Sequence, residues 1–457
     1  MSLNVEAASR TAEVERLRAV LADSLARLRD LPTLTAVGRV SEVVGLVLKA
    51  VVPGIRHGEL VDIDRGRGHP RLSAEVVGFR GDEAILLPYG DPRGVGPDST
   101  VSPTGRSFQI RCGEALLGRV LDGLGEPCDG GPPLGPGLEL WDVERPAPDP
   151  LLRARIERPL PSGVRAVDGF LTLGEGQRVG LFAGSGAGKS SLLGQLARAT
   201  FADVNVICLC GERGREVRDF LADALGPDGL ARSVVVCATS DAPSLVRLKA
   251  AHVATAVAEW FRDRRGARVL FLLDSITRFA RAVREVGLAA GEPPVRQGFP
   301  PSVFAALPRL LERTGQAARG SITAIYTVLV AGSDMDEPIA DEVRGILDGH
   351  IVLDRDLGAR GRWPPIDVLA SLSRVMVRVA TAEHRAAAAA VRELLAAYEQ
   401  KRDLVLLGAY KAGSDRRVDE ALAKIDAIEA FLRQPLDERA SLEATVRRLG
   451  ELAGVRK

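Results

Sequence analysis

The chain has little of what nucleic-acid-binding and membrane-spanning proteins require. Its 457 residues carry a formal net charge of +1, and aromatic residues make up 4%. Because nucleic acids are bound by basic surfaces and by aromatic rings that stack on bases, we expect no nucleic acid among the partners. No apolar run approaches the length of a membrane-spanning helix, and the N-terminus lacks the apolar segment of a secretory signal. These absences predict a soluble, cytoplasmic protein.

Cysteine and lysine are also scarce. The five cysteines, at positions 112, 128, 208, 210 and 237, form no C-x-x-C pair and have no histidine spaced to complete a zinc site. We therefore expect free, reduced thiols, with Cys208 and Cys210 packing as small hydrophobic side chains on one face of a strand. Only seven of the 61 basic residues are lysines, so a lysine at a position that requires one carries weight.

The N-terminal segment has a helical pattern. Residues 10–31 place five apolar side chains at three- and four-residue spacing, with arginines and acids between them, which predicts an amphipathic helix. This helix either packs on its own domain or docks on a partner. The apolar positions are Val14, Leu17, Leu21, Leu25 and Leu28.

Three further regions differ in pattern. Between residues 37 and 90, short β-rich runs at 43–48, 60–63, 74–79 and 84–87 are separated by Gly and polar turns, which predicts a small β-barrel. A Pro/Gly-rich connector at 127–150 then leads into apolar runs that alternate with helical stretches, as in a parallel α/β sheet. Beyond Val375 the pattern is helical. The predicted division is an N-terminal helix at 1–31, a β-barrel at 32–100, an α/β domain at 101–375 and a helical domain at 376–457.

An apolar segment at 179–182 runs into a glycine-rich loop and then into a helical pattern, which is the context of a phosphate-binding loop. The glycines let backbone N–H groups converge on phosphate oxygens, and Lys189 supplies a positive charge to the β and γ phosphates. A chance Gly-rich turn is disfavoured because the one position that requires lysine has it. The predicted ATP-binding residues are Ala183, Gly184, Ser185, Gly186, Ala187, Gly188, Lys189, Ser190 and Ser191.

Two carboxylates follow other predicted strands. Asp274 ends the apolar run 269–273, where it would lie beside a Mg²⁺ ion that Ser190 also binds; a helix-capping role before Ser275 is the alternative. Glu212 follows the run 204–210, where it would polarise the attacking water. A surface ion pair between Glu212 and a neighbouring arginine is equally compatible with the pattern.

Three motifs in this order resemble the rotary-ATPase-like family. They are the loop at 184–190, residues 211–217, and residues 364–373, which match the signature of the α and β subunits. The resemblance extends from about residue 38 to residue 434. It implies an α/β fold with a RecA-like P-loop NTPase core, an N-terminal small β-barrel and a C-terminal helical domain, with the core as an ATPase domain.

Within that family, residues 298–304 and 336–350 look like the type III secretion ATPases. Residues 335–338 and 340–344 look closer to the enzyme of the virulence injectisome than to its flagellar sibling. The resemblance therefore implies an ATP hydrolase of a type III protein secretion apparatus.

The resemblance also implies roles for individual residues. Glu212 would be the catalytic glutamate that orients water, with Arg213 and Glu216 in the surrounding phosphate and magnesium shell. Arg374 would be an arginine finger that reaches the γ-phosphate of a neighbouring subunit. Trp363 stands where the family commonly has tyrosine and would stack on adenine, although a plain core tryptophan is the alternative.

An arginine finger from a neighbour places each active site between subunits, so the resemblance implies a homohexamer. By the same analogy the ring lies at the cytoplasmic base of the secretion apparatus, peripheral to the inner membrane, where it releases chaperones and unfolds export substrates. The implied partners are a stator-like regulator, stalk proteins and chaperone–substrate complexes. ATP and Mg²⁺ are the implied cofactors, and the loop at 291–298, with Arg296 and Gln297, is a candidate ring-facing contact.

Other functions are compatible with the same core. They are a flagellar export ATPase, a rotary ATP synthase or vacuolar-type catalytic subunit, a Rho-like RNA translocase, and a nucleotide-binding subunit without turnover. Residues 346–350 argue against the synthase, and the neutral charge disfavours the RNA translocase. Glu212 disfavours a subunit without turnover. We expect the injectisome ATPase.

Overall fold

In a computed structural model of the chain, residues 16–18, 20–25, 36–184, 186–330 and 334–454 are described. The chain divides into two compact units, 1–106 and 107–457. Among these described residues, no helix combines the length and the apolar character needed to cross a membrane. Residues 16–18 and 20–25 are helical and exposed, whereas the rest of the predicted helix at 10–31 lies outside the described residues.

The first unit contains a closed six-stranded barrel, which confirms the predicted fold. Every second side chain points inward, and the inner positions, such as Leu48, Val61 and Leu86, are fully buried. Neighbouring strands follow the order β1-β2-β5-β4-β3-β6. The strands are β1 (Gly38–Val44), β2 (Val47–Val51), β3 (Leu60–Asp64), β4 (Leu72–Arg80), β5 (Glu83–Pro88) and β6 (Thr100–Pro103).

Two details of the barrel differ from the sequence prediction. The run 43–48, predicted as one strand, is a hairpin: Val44 pairs with Val47, and Gly45 has a φ of 59° at the turn. A glycine adopts this left-handed conformation without steric cost, which the apolar pattern alone conceals. The barrel also continues past residue 100, where we predicted its end, because β6 pairs with both β1 and β3 to close it.

The predicted connector at 127–150 is not devoid of regular structure. Its strand β9 (Glu139–Asp142) pairs antiparallel with β7 (Gln109–Cys112), and Ile110 lies opposite the buried Trp141. Between them in sequence lie a short 3-10 helix, Glu114–Leu116, and strand β8 (Val120–Asp122). The Pro and Gly content hid a strand whose stability depends on this distant pairing.

A nine-stranded sheet forms the centre of the second unit. Its main path follows the order β17-β16-β10-β15-β13-β11-β12-β8, and β14 pairs with β15. The central strands are parallel and buried on both faces, as expected where helices cover a sheet. The strands are β10 (Arg178–Ala183), β11 (Val204–Glu212), β12 (Ser233–Thr239), β13 (Arg268–Asp274), β14 (Gly315–Gln316), β15 (Ser321–Leu329), β16 (Gly349–Leu353) and β17 (Ile366–Ser373).

Helices cover this sheet and form the C-terminal region, as predicted. A π-helical stretch, Phe220–Leu225, separates two of them. The helices are α1 (Arg165–Phe170), α2 (Lys189–Ala199), α3 (Gly214–Asp219), α4 (Gly226–Ala231), α5 (Ser244–Arg265), α6 (Ile276–Ala289), α7 (Pro301–Leu311), α8 (Pro338–Ile346), α9 (Arg355–Ala359), α10 (Met376–Val379), α11 (Ala382–Leu406), α12 (Arg416–Leu432) and α13 (Leu442–Ala453).

The C-terminal helices are anchored to the α/β core through buried polar contacts. The backbone N–H of Arg165 donates to Gln434 Oε1 at 2.7 Å, and the Arg165 Nε donates to the carbonyl of Phe431 at 2.8 Å. The Gln434 amide in turn donates to the carbonyl of Gly163 at 2.7 Å. Because all these groups are buried, each contact also avoids an unsatisfied polar group.

The contact between α2 and the π-helical stretch depends on Gly194, because a Cβ at this position would lie 2.5 Å from the carbonyl oxygen of Ala224. We predict that Gly194→Ala lowers the free energy of unfolding by about 1–3 kcal/mol through overpacking. Gly345→Ala is the matched control: Gly345 is also helical, and nothing lies within 4 Å of its Cβ position. The control should be neutral or stabilising by up to about 1 kcal/mol. Thermal unfolding of both variants measures the difference, and equal midpoints would contradict the prediction.

Candidate active site

The predicted site residues lie where parallel strands end. Strand β10 runs into the glycine-rich loop, β11 ends at Glu212 and β13 ends at Asp274. Because β10, β13 and β11 lie in the same parallel sheet, with only β15 between β10 and β13, their carboxyl ends meet at one edge. Ligands of open α/β sheets bind at this edge.

The loop has the backbone of a phosphate-binding loop. Gly186 and Gly188 have φ angles of 77° and 76°, in the left-handed region that glycine adopts freely. Lys189 begins helix α2 directly after the loop, and Ser190 is exposed in the first turn. The helix N-terminus therefore presents backbone N–H groups beside Lys189. Ser185 lies outside the described residues.

Lys189 joins the loop to both predicted carboxylates. Its Nζ donates to Asp274 Oδ1 at 2.5 Å and to Glu212 Oε1 at 3.3 Å. Asp274 also accepts a hydrogen bond from the hydroxyl of Thr327, at 2.8 Å. Both carboxylates are buried, at 3% exposure for Asp274 and 6% for Glu212. The structure thus brings three predicted site residues, 85 residues apart at most in sequence, into one charged cluster.

Arg278 belongs to the same cluster and was not predicted. Its Nη1 lies 2.8 Å from Glu212 Oε2 and donates to the carbonyl of Gly211. Glu212 therefore has a cation on each side, Lys189 on Oε1 and Arg278 on Oε2. Arg278 lies in the first turn of α6, whose N-terminus Ser275 caps by accepting from the backbone N–H of Arg278. Its only sequence signal is its position four residues after Asp274.

The environment of Glu212 favours proton uptake. Burial raises the pKa of Glu212 to about 7, and a hydrogen bond with Glu216 and the charge of Asp274 contribute in the same direction. Lys189 and Arg278 oppose this rise. The same hydrogen bond to Glu212 is the main reason that the pKa of Glu216 is lowered. The two carboxyl groups are therefore coupled, and proton uptake favours Glu212 over Glu216.

Arg213 and Glu216 lie on the solvent side of this cluster. Arg213 immediately precedes α3, and its guanidinium is 3.7 Å from a carboxylate oxygen of Glu216. The Arg213 side chain is 79% exposed and that of Glu216 is 46% exposed. Glu216 touches Glu212 from this side, whereas Arg213 extends into solvent, where it can meet a ligand or another chain.

Trp363 packs on the phosphate-binding loop. A Cβ added to Gly188 would overlap the indole ring, so Gly188 is required both for its φ angle and for this close approach. The residue is 41% exposed. A half-exposed aromatic face beside the loop differs from the alternative of a plain core tryptophan, because a core side chain would be buried.

Arg374 lies at the end of the sheet opposite the phosphate-binding loop, where the parallel strands begin. It follows β17, whose Ser373 pairs with Gly349 at the start of β16, and its N–H donates to the carbonyl of Asp348 at 3.0 Å. Asp348 Oδ2 accepts from the backbone N–H of Arg178, at the start of β10. The loop follows the other end of β10, six residues on, or about 20 Å at the rise of an extended strand. An arginine side chain does not span this distance within one chain.

Comparison with known proteins places the chain in one family. Residues 40–105 match the β-barrel domain of the ATP synthase alpha/beta family, and residues 163–373 match the nucleotide-binding domain of that family. Residues 380–451 match the T3SS EscN ATPase C-terminal domain. Each match falls on a region of the fold described above.

Individual relatives agree with these matches. The type 3 secretion system ATPase of Xanthomonas euvesicatoria is 54% identical, over 92% of this chain and 95% of the relative. The flagellum-specific ATP synthase of Bacillus subtilis is 51% identical, over 91% of this chain and 95% of the relative. The structure of the assembled ATPase EscN from the type III secretion system of enteropathogenic E. coli superposes with a TM-score of 0.86 at 46% identity, over 91% of this chain and all of that one. The chain therefore belongs to the ATP-hydrolysing type 3 secretion ATPases of the ATP synthase alpha/beta family.

Proposed function

We propose that this chain is the ATPase of a type III secretion apparatus of the injectisome type, and that it uses ATP hydrolysis to release chaperones from export substrates and to unfold them. The observation that supports ATP hydrolysis is the contact of Lys189 with both Asp274 and Glu212 at the carboxyl ends of the parallel strands. Deletion of the gene tests the biological part, because export of secreted substrates should stop while motility is retained.

Lys189 binds the β and γ phosphates in this proposal, and the backbone N–H groups of the loop surround them. The Glu212 carboxylate orients the attacking water, and Arg278 holds that carboxylate in place through its contacts with Oε2 and with the carbonyl of Gly211. Trp363 stacks on adenine with the exposed face of its ring. Each role follows from a side chain that the fold brings to the end of β10 or β11.

Mg²⁺ fits this site as an ion shared with the nucleotide. Within the described parts of the chain, no group of three or more His, Cys, Asp or Glu side chains could hold a metal ion. Mg²⁺ in nucleotide sites needs only one or two carboxylates, because phosphates and waters complete its shell. We assign its protein ligands to Ser190 and Asp274, with Glu216 in the outer shell. The ion supplies neutralisation of the phosphate charge.

The position of Arg374 supports a site completed by a second copy of the chain. An arginine at the edge opposite the loop cannot reach the phosphates of its own subunit, but it can reach those of a neighbour in a ring. The assembled EscN structure, and a second one of EscN in complex with its central stalk EscO (TM-score 0.84, 46% identity), are consistent with such an assembly. We propose a homohexamer with a stalk, a stator-like regulator and chaperone–substrate complexes as partners, on the cytoplasmic side of the inner membrane.

The loop at 291–298 remains our candidate for the ring-facing contact. Arg296 ties it to α8 through an ion pair with Asp341 at 3.4 Å. Gln297 has a φ of 47°, which is uncommon for a residue with a Cβ. The loop therefore presents Gln297 in a defined conformation.

The flagellar export ATPase is the second candidate, because a flagellum-specific relative is 51% identical. The injectisome is favoured by the 54% identity to a type 3 secretion ATPase and by the EscN-type C-terminal domain. That C-terminal domain also disfavours a synthase subunit and a Rho-like translocase. Loss of motility with intact protein export in the deletion strain would select the flagellar function.

We predict that Glu212→Gln binds ATP tightly but hydrolyses it about 10²–10⁴-fold more slowly, because the amide cannot polarise water. ATP binding by calorimetry and phosphate release separate the two effects. Glu393→Gln, an exposed position on α11, is the matched control and should hydrolyse ATP normally. Hydrolysis retained by Glu212→Gln would assign the water-positioning role to another residue.

The raised pKa of Glu212 predicts a pH dependence. The carboxylate is the active form, so kcat/KM for ATP should rise with pH and level off above the pKa of about 7. Glu216→Ala removes a hydrogen bond that raises this pKa, so its profile should shift to lower pH. Initial rates across about pH 6 to 8 measure both profiles. A flat wild-type profile would contradict this role of Glu212.

We predict that Arg374→Ala retains ATP affinity and loses about 10³-fold or more in kcat. Arg378→Ala, a second exposed arginine on the same segment, is the matched control and should be nearly normal. A mixture of Arg374→Ala and Lys189→Ala chains should regain activity, since on random mixing about one interface in four combines an intact loop with an intact finger. An inactive mixture that still assembles, together with an active Arg374→Ala ring, would remove Arg374 from the mechanism.

A further inference from the structure

Two cysteines far apart in sequence meet at one side of the sheet. Cys237 lies on β12 and pairs with Asp122 of the edge strand β8. Cys128 follows β8 in the chain and lies beside β8, on the side that faces away from β12. Its backbone N–H donates to the carbonyl of Val120 at 2.9 Å. The two side chains approach each other, and their Sγ atoms are 3.9 Å apart. This is a contact between two free thiols.

The two thiols differ in accessibility from each other and from the remaining three. Cys128 is exposed and Cys237 is half-buried, whereas Cys112, Cys208 and Cys210 are fully buried. The hydrogen bond from Cys237 lowers the pKa of Cys128, while that same contact raises the pKa of Cys237. Burial raises the pKa of Cys210 to about 12. An oxidant from solvent therefore meets Cys128 first, with a second thiol in contact with it.

We propose that Cys128 and Cys237 are a peroxide-reactive pair in which Cys128 is attacked first and Cys237 resolves it to an intrachain disulfide. The Cys128 thiolate attacks the terminal oxygen of a hydroperoxide, so that an S–O bond forms and the O–O bond breaks. The other oxygen leaves as alcohol or water after taking up a proton, and Cys128 becomes a sulfenic acid. The Cys237 thiol then attacks the Cys128 sulfur, forming the S–S bond and releasing water. The two thiols lose two electrons and two protons in total, and the peroxide is reduced.

Closure of the bond requires one of the two segments to move. The sulfurs must move from 3.9 Å to about 2.05 Å apart. Cys237 is fixed between β11 and β8 in the sheet, whereas residues 126–128 form an irregular segment beside β8. The Leu121–Pro127 bridge, adjacent backbone hydrogen bonds and the ion pair of Asp129 with Arg119 hold this segment. We therefore expect the displacement on the Cys128 side, since the strand of Cys237 is paired on both sides.

The pair lies close to the catalytic glutamate. On β12, two residues after Cys237, Thr239 pairs with Glu212, and the next residue, Ser240, donates its N–H to the Glu212 carbonyl at 3.0 Å. A covalent tie at Cys237 restrains the strand that holds the Glu212 backbone. We therefore expect the disulfide to lower ATP turnover reversibly; this effect rests on the proposed function, whereas formation of the bond does not.

The test uses the full-length protein treated with hydrogen peroxide, followed by alkylation and peptide mapping without reduction. We expect a cross-link between the peptides of Cys128 and Cys237, and loss of the Cys128 thiol at least about tenfold faster than loss of the three buried thiols. In Cys237→Ser, the sulfenic acid on Cys128 should persist and be trapped by dimedone. Cys128→Ser should leave Cys237 reduced under the same treatment.

Three outcomes would overturn the proposal. They are over-oxidation of Cys128 with Cys237 still reduced, a disulfide between two chains through Cys128, and equal dimedone trapping in the wild type and in Cys237→Ser. ATP turnover, measured before and after oxidation and again after dithiothreitol, tests the consequence separately. If the cross-link forms and ATP turnover does not change, the disulfide proposal stands, but its expected effect on Glu212 is wrong.

Discussion

The site depends on one arrangement of charge, the Lys189 ammonium held between the buried carboxylates of Asp274 and Glu212. Two buried acids at close range are unfavourable unless a cation lies between them, and here Lys189 contacts both while Arg278 neutralises the other oxygen of Glu212. The three residues come from the ends of three separate chain segments. Their meeting therefore requires that β10, β11 and β13 keep their parallel register, because a slip of one residue would turn Glu212 or Asp274 to the other face of the sheet.

The same sheet that assembles this cluster separates it from Arg374. Strands β10 and β16 run parallel, so the loop lies at their carboxyl ends, while antiparallel β17 returns Arg374 to their amino ends. The antiparallel direction of β17 thus places the loop and Arg374 on two different surfaces of the chain. Asp348 reinforces that division, since it accepts from the Arg178 backbone and its own carbonyl receives the Arg374 N–H.

Sequence patterns predicted the fold and the loop because those depend on local features, namely apolar runs of strand length and glycines before a lysine. They failed where the structure depends on contacts between distant segments. The strand β9 inside the connector needed a partner, β7, that no local window contains. The hairpin within 43–48 was missed because the apolar run conceals the turn at Gly45. Arg278 and Thr327 were missed for the same reason: each acts on a carboxylate that only the strand order brings near. Arg374 came from family resemblance, and the sheet polarity now gives it a physical rationale.

Because Lys189 and Arg374 lie at opposite ends of the sheet, the number of complete active centres depends on how many chains assemble. If each complete centre needs the loop of one chain and the finger of the next, an isolated chain contains none, and an open row of n chains contains n − 1. Only closure into a ring equalises the number of centres and chains. Turnover per chain would then rise with the length of the row and reach its maximum on closure, and dispersed single copies in the cell would leave the ATP pool untouched.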